Sequence, residues 1–122
     1  MVLRANPSSL RVAQVAEHVA RRCVTVAKTL RGPGALKLAD QLVRASTSIV
    51  LNIVEGCGRG TVPDFRRFLL QARGSAQETL SLLRIIVPAN DEQRSTMRSL
   101  QSRTVLILKM LNRLYEHPPP DK

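Results

Sequence analysis

ALKLADQLVRASTSIVLNIVEGCGRGTVPDFRRFLLQARGSAQETLSLLRIIVP, residues 35–88, holds two amphipathic segments joined by a glycine-rich corner, and its periodicity decides the fold. Between Ala35 and Cys57, Leu36, Ala39, Leu42, Val43, Ile49, Val50, Ile53 and Val54 recur mostly at three- and four-residue steps, the spacing of one helix face. Gly56, Gly58 and Gly60 end the segment, since glycine tolerates the left-handed backbone that closes helices. Thr61-Val62-Pro63-Asp64 then reads as a capping box. Thr61 caps, Pro63 occupies the first turn where its missing N–H costs nothing, and Asp64 reaches back to the Thr61 amide. Phe65, Phe68, Leu69, Ala72, Ala76, Leu83 and Val87 carry the next helix to its stop at Pro88.

Outward from this pair, the chain supplies one more helix on each side. Ser8 or Ser9 can cap the first, whose apolar residues Ala13, Ala16, Ala20, Cys23, Ala27 and Leu30 are widened by Val12, Val15, Val19 and Val26. Gly32-Pro33-Gly34 stops it. Asn90 or Asp91 caps the last, along Met97, Leu100, Thr104, Ile107, Leu108, Leu111 and Leu114, and Pro118-Pro119-Pro120 ends it. Four such helices with short connections fold most economically as an all-α, up-down-up-down antiparallel four-helix bundle. The expected architecture is one domain, 1–122, with helices at about 8–31, 35–57, 62–87 and 91–116.

Composition agrees. Apolar residues make up 43% of the chain, enough for a core, yet Phe65, Phe68 and Tyr115 are the only aromatics, which disfavours a β-sandwich or barrel. Cys23 and Cys57 fall on or beside apolar faces and read as small buried hydrophobes rather than a disulfide. The Met-Val-Leu-Arg start lacks a secretory apolar run, and no stretch approaches the roughly 20 apolar residues that span a bilayer. A soluble cytoplasmic protein without membrane contact is expected.

Charge is the dominant signal. Nineteen Lys and Arg stand against nine Asp and Glu, a net +10, and only Lys28, Lys37, Lys109 and Lys122 are lysines. The Arg guanidinium is a planar fork that matches phosphate bidentately. A GC-rich coding sequence would also raise Arg, but would not by itself leave acids so scarce. Such an excess repels itself in the folded state and implies a polyanionic partner. The cations form stripes: Arg11, Arg21 and Arg22 on the first helix; Arg66, Arg73 and Arg84 on one flank of the third; Arg94, Arg98, Lys109 and Arg113 on the outward side of the fourth. Together they suit backbone phosphates of RNA or DNA, while the shortage of aromatics argues against a base-stacking reader of single strands. No helix-turn-helix, zinc-finger or RNA-recognition sheet pattern is present to read a sequence.

Catalysis finds little support. His18 and His117 stand near opposite ends, outside any metal-ligand spacing, and no Ser-His-Asp or Cys-His motif occurs. Gly56-Cys57-Gly58-Arg59-Gly60 follows a helix rather than a strand and lacks the Gly-Lys-Ser/Thr of a nucleotide loop. No enzyme activity, cofactor, metal or small-molecule substrate is expected. A subtler feature is the polar line Gln41, Arg44, Ser48, Asn52, Glu55 and Arg59, which lies within roughly 80° of helix surface. Ser46, Thr47, Ser48 and Asn52 are mediocre helix formers, so the line reads either as a solvated face or as a hydrogen-bonded contact between helices or subunits.

The same line carries a family resemblance. Gln41-Leu42, Arg44-Ala45, Ser48-Ile49, Asn52-Ile53, Glu55-Gly56 and Gly58-Arg59 resemble the QLxRAxxSIxxNIxEGxGR signature of a bacterial four-helix-bundle family. That family comprises proteins encoded in intervening sequences of large-subunit ribosomal RNA genes and Avd, the accessory variability determinant of diversity-generating retroelements. Phe65, Arg67-Phe68-Leu69, Ala72, Gly74-Ser75 and Glu78 are similar to its FxRFLxxAxGSxxE motif. The likeness covers about residues 41–83, with departures at Val54 and Gly60. It implies a homopentamer of four-helix protomers. In the Avd branch, it further implies association with a reverse transcriptase and its template RNA; the intervening-sequence branch implies a structural oligomer without a nucleic-acid role. A subunit contact would account for Gln41, Arg44, Ser48, Asn52, Glu55 and Arg59, with Glu78 as the carboxylate that Arg44 or Arg67 meets.

Overall fold

The computed structural model describes Leu3 and residues 5–119. Pro120, in the proline tail expected to end the last helix, and Lys122, among the lysines counted above, lie outside the described residues. A 3-10 turn at Pro7–Ser9 precedes α1 (Arg11–Thr29), α2 (Ala35–Cys57), α3 (Val62–Ile85) and α4 (Asp91–Glu116). Each helix packs on its neighbours in chain order and α4 closes back on α1, with no close backbone approach across either diagonal among the described residues. The connections, 30–34, 58–61 and 86–90, are too short to cross the bundle, so successive helices run in opposite directions. The result is the all-α, up-down-up-down bundle that the periodicity implies.

The core fills the square between the four helices. Phe65, Leu42, Ile49, Ile53, Leu69 and Leu83 from the central pair meet Val19 of α1 and Met97, Leu100, Ile107 and Leu111 of α4, all essentially fully buried. Three hydroxyls are buried with them, and each donates to its own helix one turn back: Ser46 to the Leu42 carbonyl (2.8 Å), Thr79 to Ser75 (2.8 Å) and Thr104 to Leu100 (2.7 Å). Backbone acceptance removes the penalty of burying them. Cys23 and Cys57 are free and buried. Burial pushes the Cys23 thiol up to about 11, only partly offset by the Ser46 hydroxyl, so it stays protonated.

Helix ends follow local chemistry, with four departures from the sequence reading. The first helix does not start at Ser8 or Ser9. Asn6 instead accepts the Ser8 amide (3.1 Å) and closes the 3-10 turn, and α1 begins after the extended Leu10, which offers no side-chain cap. An Asn two residues before the serines out-competes them because its carboxamide reaches the first free amide and the Ser8 hydroxyl together (2.9 Å). α1 also stops at Thr29 rather than near 31, and α3 at Ile85 rather than 87, where Ile86 turns extended ahead of Pro88. Gly56 does not end α2 but sits inside it, because a Cβ there would lie 3.0 Å from the Phe68 Cβ. Gly60 supplies the one left-handed residue of that corner, at φ +84°.

Thr61 and Asn90 are the caps that hold: Asp64 N–H donates to the Thr61 hydroxyl (3.4 Å) and Gln93 N–H to the Asn90 carboxamide (2.8 Å). Replacing either by Ala lowers unfolding free energy by about 1 kcal/mol in a denaturant titration, whereas Ser9→Ala leaves it within about 0.5 kcal/mol. Equal losses at all three positions would contradict these assignments.

Candidate subunit and phosphate-binding surfaces

The α2 polar line faces α3. Arg44 Nη2 meets Glu78 Oε2 at 2.6 Å, Ser48 and Ser75 share a hydroxyl hydrogen bond of 2.8 Å, and Asn52 donates to the Ser48 carbonyl (2.9 Å) and hydroxyl (3.1 Å). Glu55 pairs with Arg59 at 3.4 Å one turn on. Arg67 meets Asp64 (3.5 Å) rather than Glu78, and Arg59 and Arg67 both lie over the Phe68 ring, 5.0 and 4.6 Å from its centroid. Gln41, Ser48, Asn52, Ser75 and Glu78 are half-buried within one protomer. The seam is therefore a contact between helices, and it stays open to solvent on one side.

Beside this network α2 exposes two large apolar residues. Leu51 is 65% exposed and Val54 43%, although periodicity placed Val54 on the core face with Leu36. Residues 36 and 54 are eighteen apart, five helical turns, so they share one strip just past the edge of the core. Leu36 is accordingly 83% exposed. Leu51 and Val54 both lie to one side of Arg44, Ser48 and Glu55 on the helix, so the outer α2 surface is mixed apolar and paired-polar.

On the opposite side of α3, the Arg66–Arg73–Arg84 flank faces α4. Arg66 is half-buried, donates Nε–H to the Tyr115 carbonyl (2.9 Å) and stacks over the Tyr115 ring at 5.3 Å. Arg73 donates to the Asn112 side-chain carbonyl at 3.3 Å. Both tie the α4 C-terminal turns to α3, and Arg84 is exposed. On α4, Arg94 approaches Asp91 at 4.0 Å, while Arg98, Lys109 and Arg113 project outward.

The α1–α4 seam gathers cations that periodicity alone did not bring together. Arg11 and Arg113 line a hollow of about 210 Å³ at one end, floored by Val12, Met110 and Leu114, with His117 on its rim. At the other end Arg22 lines a larger cleft of about 510 Å³ with Thr25, Thr29, Asn90, Glu92 and Gln93. Between them, slight desolvation and then the positive charges of Arg103, Arg22 and Arg21 hold the exposed His18 imidazole below its ordinary value. Arg103 belongs to no stripe read from the sequence. It lies seven residues from both Thr96 and Met110, on the α4 edge that turns toward α1, and that spacing is its only sequence signal.

Among the described residues no group of three His, Cys, Asp or Glu is placed to hold a metal ion, and no helix is long and apolar enough to cross a membrane. Comparison with known proteins bears on the whole bundle. No curated protein matches the chain. A family model described as 23S rRNA-intervening sequence protein matches residues 8–113, which takes in all of α1, α2 and α3 and nearly all of α4. The bundle and its motif-bearing α2–α3 seam thus lie within the match, and the chain belongs to the 23S rRNA-intervening sequence protein family.

Proposed function

We propose that this chain is a non-catalytic, basic accessory protein that assembles as a homopentamer and binds RNA or DNA through phosphate contacts, beside a reverse transcriptase in a diversity-generating retroelement. The observation that carries the reading is a segregation of charge. Ion pairs among the described residues concentrate at the α2–α3 seam, through Arg44, Arg59 and Arg67, with Arg94 the exception on α4. Arg11, Arg21, Arg22, Arg84, Arg98, Lys109 and Arg113 project into solvent away from that seam. One side is thereby suited to a neighbouring copy and the remainder to a polyanion. Five copies would gather about fifty net positive charges on one particle, five times +10. The pentamer is supported by the likeness of the 41–83 motifs to the family as a whole, whose branches share them, and the polymerase partner of the Avd branch leans on the net charge of +10.

Binding of a labelled single-stranded RNA tests this. With three to four phosphates neutralised, affinity falls about 20- to 50-fold between 50 and 200 mM salt. A second reading, a structural oligomer with no nucleic-acid role, is favoured by the family match itself, whose description is that of the intervening-sequence branch. Absence of binding at 50 mM salt would select it, and a neighbouring reverse transcriptase gene would count against it.

A further inference from the structure

We propose that the α1–α4 seam is the track on which one nucleic-acid strand lies, its phosphates held between Arg11 and Arg22 of α1 and Arg103 and Arg113 of α4. This deepens the nucleic-acid reading and rests on it, since it names where on the molecule the strand is held. Three observations converge. Cations stand on both banks of one groove, because α1 and α4 run antiparallel and bring Arg11 beside Arg113 at one end while Arg22 and Arg103 approach His18 farther along. The groove is hollowed at both ends, so a chain can lie in it without displacing the bundle. Glu92 is the sole acid lining either hollow, so little opposes a polyanion there.

The dimensions suit a short stretch of backbone. Eleven residues separate Arg11 from Arg22, about 16 Å of helix at 1.5 Å per residue, and ten separate Arg103 from Arg113, about 15 Å. A stacked strand advances roughly 3.4 Å per phosphate, so the groove spans about four or five. Neighbouring helix axes lie about 8–10 Å apart, which admits one strand between two banks of guanidinium groups but not a duplex. The floor near Arg11 is aliphatic, through Val12, Met110 and Leu114, and offers sugars an apolar bed, with the His117 imidazole on the rim as the one ring lining the hollow. Recognition on this track is therefore of backbone and independent of sequence. The α3 flank is less suited, because Arg66 and Arg73 are already engaged with Tyr115 and Asn112.

The test is fluorescence anisotropy with oligouridylates of two to ten nucleotides on the full chain at 50 mM salt. Affinity should rise steeply up to about five nucleotides per site and little beyond. An Arg22→Ala/Arg103→Ala variant should bind roughly tenfold or more weakly, with the salt slope reduced by about 1.4. Lys28→Ala/Lys37→Ala removes the same charge away from the groove and should change affinity by less than about twofold. An equal loss from Lys28→Ala/Lys37→Ala or from Arg84→Ala/Arg98→Ala would overturn the track while leaving nucleic-acid binding intact. Tighter binding of a duplex of the same length would also overturn it. A wild-type chain that binds none of the probes would remove the nucleic-acid reading and the track together.

Discussion

Phe65→Ala lowers the unfolding free energy by about 3–5 kcal/mol, the largest single-residue stability effect expected in the bundle. Phe65 heads the fully buried side chains by volume and sits where the closing turns of α2 meet the opening turns of α3. The approach there is unusually close: a Cβ on Gly56 would lie 3.4 Å from the Phe65 ring and 3.0 Å from the Phe68 Cβ. With the backbones held by this contact, the space vacated by the ring cannot collapse, and the cavity cost adds to the lost transfer free energy. Phe68→Ala should cost less, because Phe68 is only half-buried and covered by Arg59 and Arg67. Urea titration of the two variants reads the difference directly. A loss at Phe65 below about 1.5 kcal/mol would mean that the corner yields and that Gly56 does not set the spacing.

If copies of the chain meet through the outer α2 surface as proposed, Leu51→Glu separates them while leaving the protomer folded. Leu51 lies outside the core and is 65% exposed, so the protomer loses almost nothing. In an assembly that covers the outer α2 surface, the change removes roughly 1.5–3 kcal/mol of apolar burial and leaves a carboxylate to be desolvated beside Glu55. Together these exceed about 4 kcal/mol, a roughly thousandfold weakening of self-association. Sedimentation velocity of the variant should show monomer at concentrations where the parent chain is assembled, with an unchanged helical circular dichroism spectrum. Unaltered sedimentation would place the subunit contact on another face.

Much of this was legible in the sequence because the helices are amphipathic and punctuated. α2 and α4 begin and end where periodicity and the Gly34, Asn90 and His117 boundaries put them. The start of α1 was not legible, because Asn6, Pro7, Ser8 and Ser9 are all turn and cap formers and only their relative geometry selects Asn6. Gly56 misread for a similar reason. A glycine near a helix end signals closure, but this one is required by the ring and Cβ of a helix not yet reached in the chain. At the candidate surfaces, the line Arg44, Ser48, Asn52, Glu55 was visible as a line, yet its partners Ser75 and Glu78 lie 27 and 34 residues away. Arg103 shows the same limit: its stripe has members on two helices at opposite ends of the chain, and no one-dimensional period joins them.

On the proposed reading, the α2–α3 side is the place for copies of the chain and the α1–α4 side the place for phosphates. Native mass spectrometry of the full chain with a ten-nucleotide oligouridylate, at low salt and after raising the salt, tests that division in one measurement. The account predicts five copies carrying RNA at low salt and five copies without RNA once salt is raised, because only the phosphate contacts release counterions. A monomer that carries no RNA under either condition would contradict it.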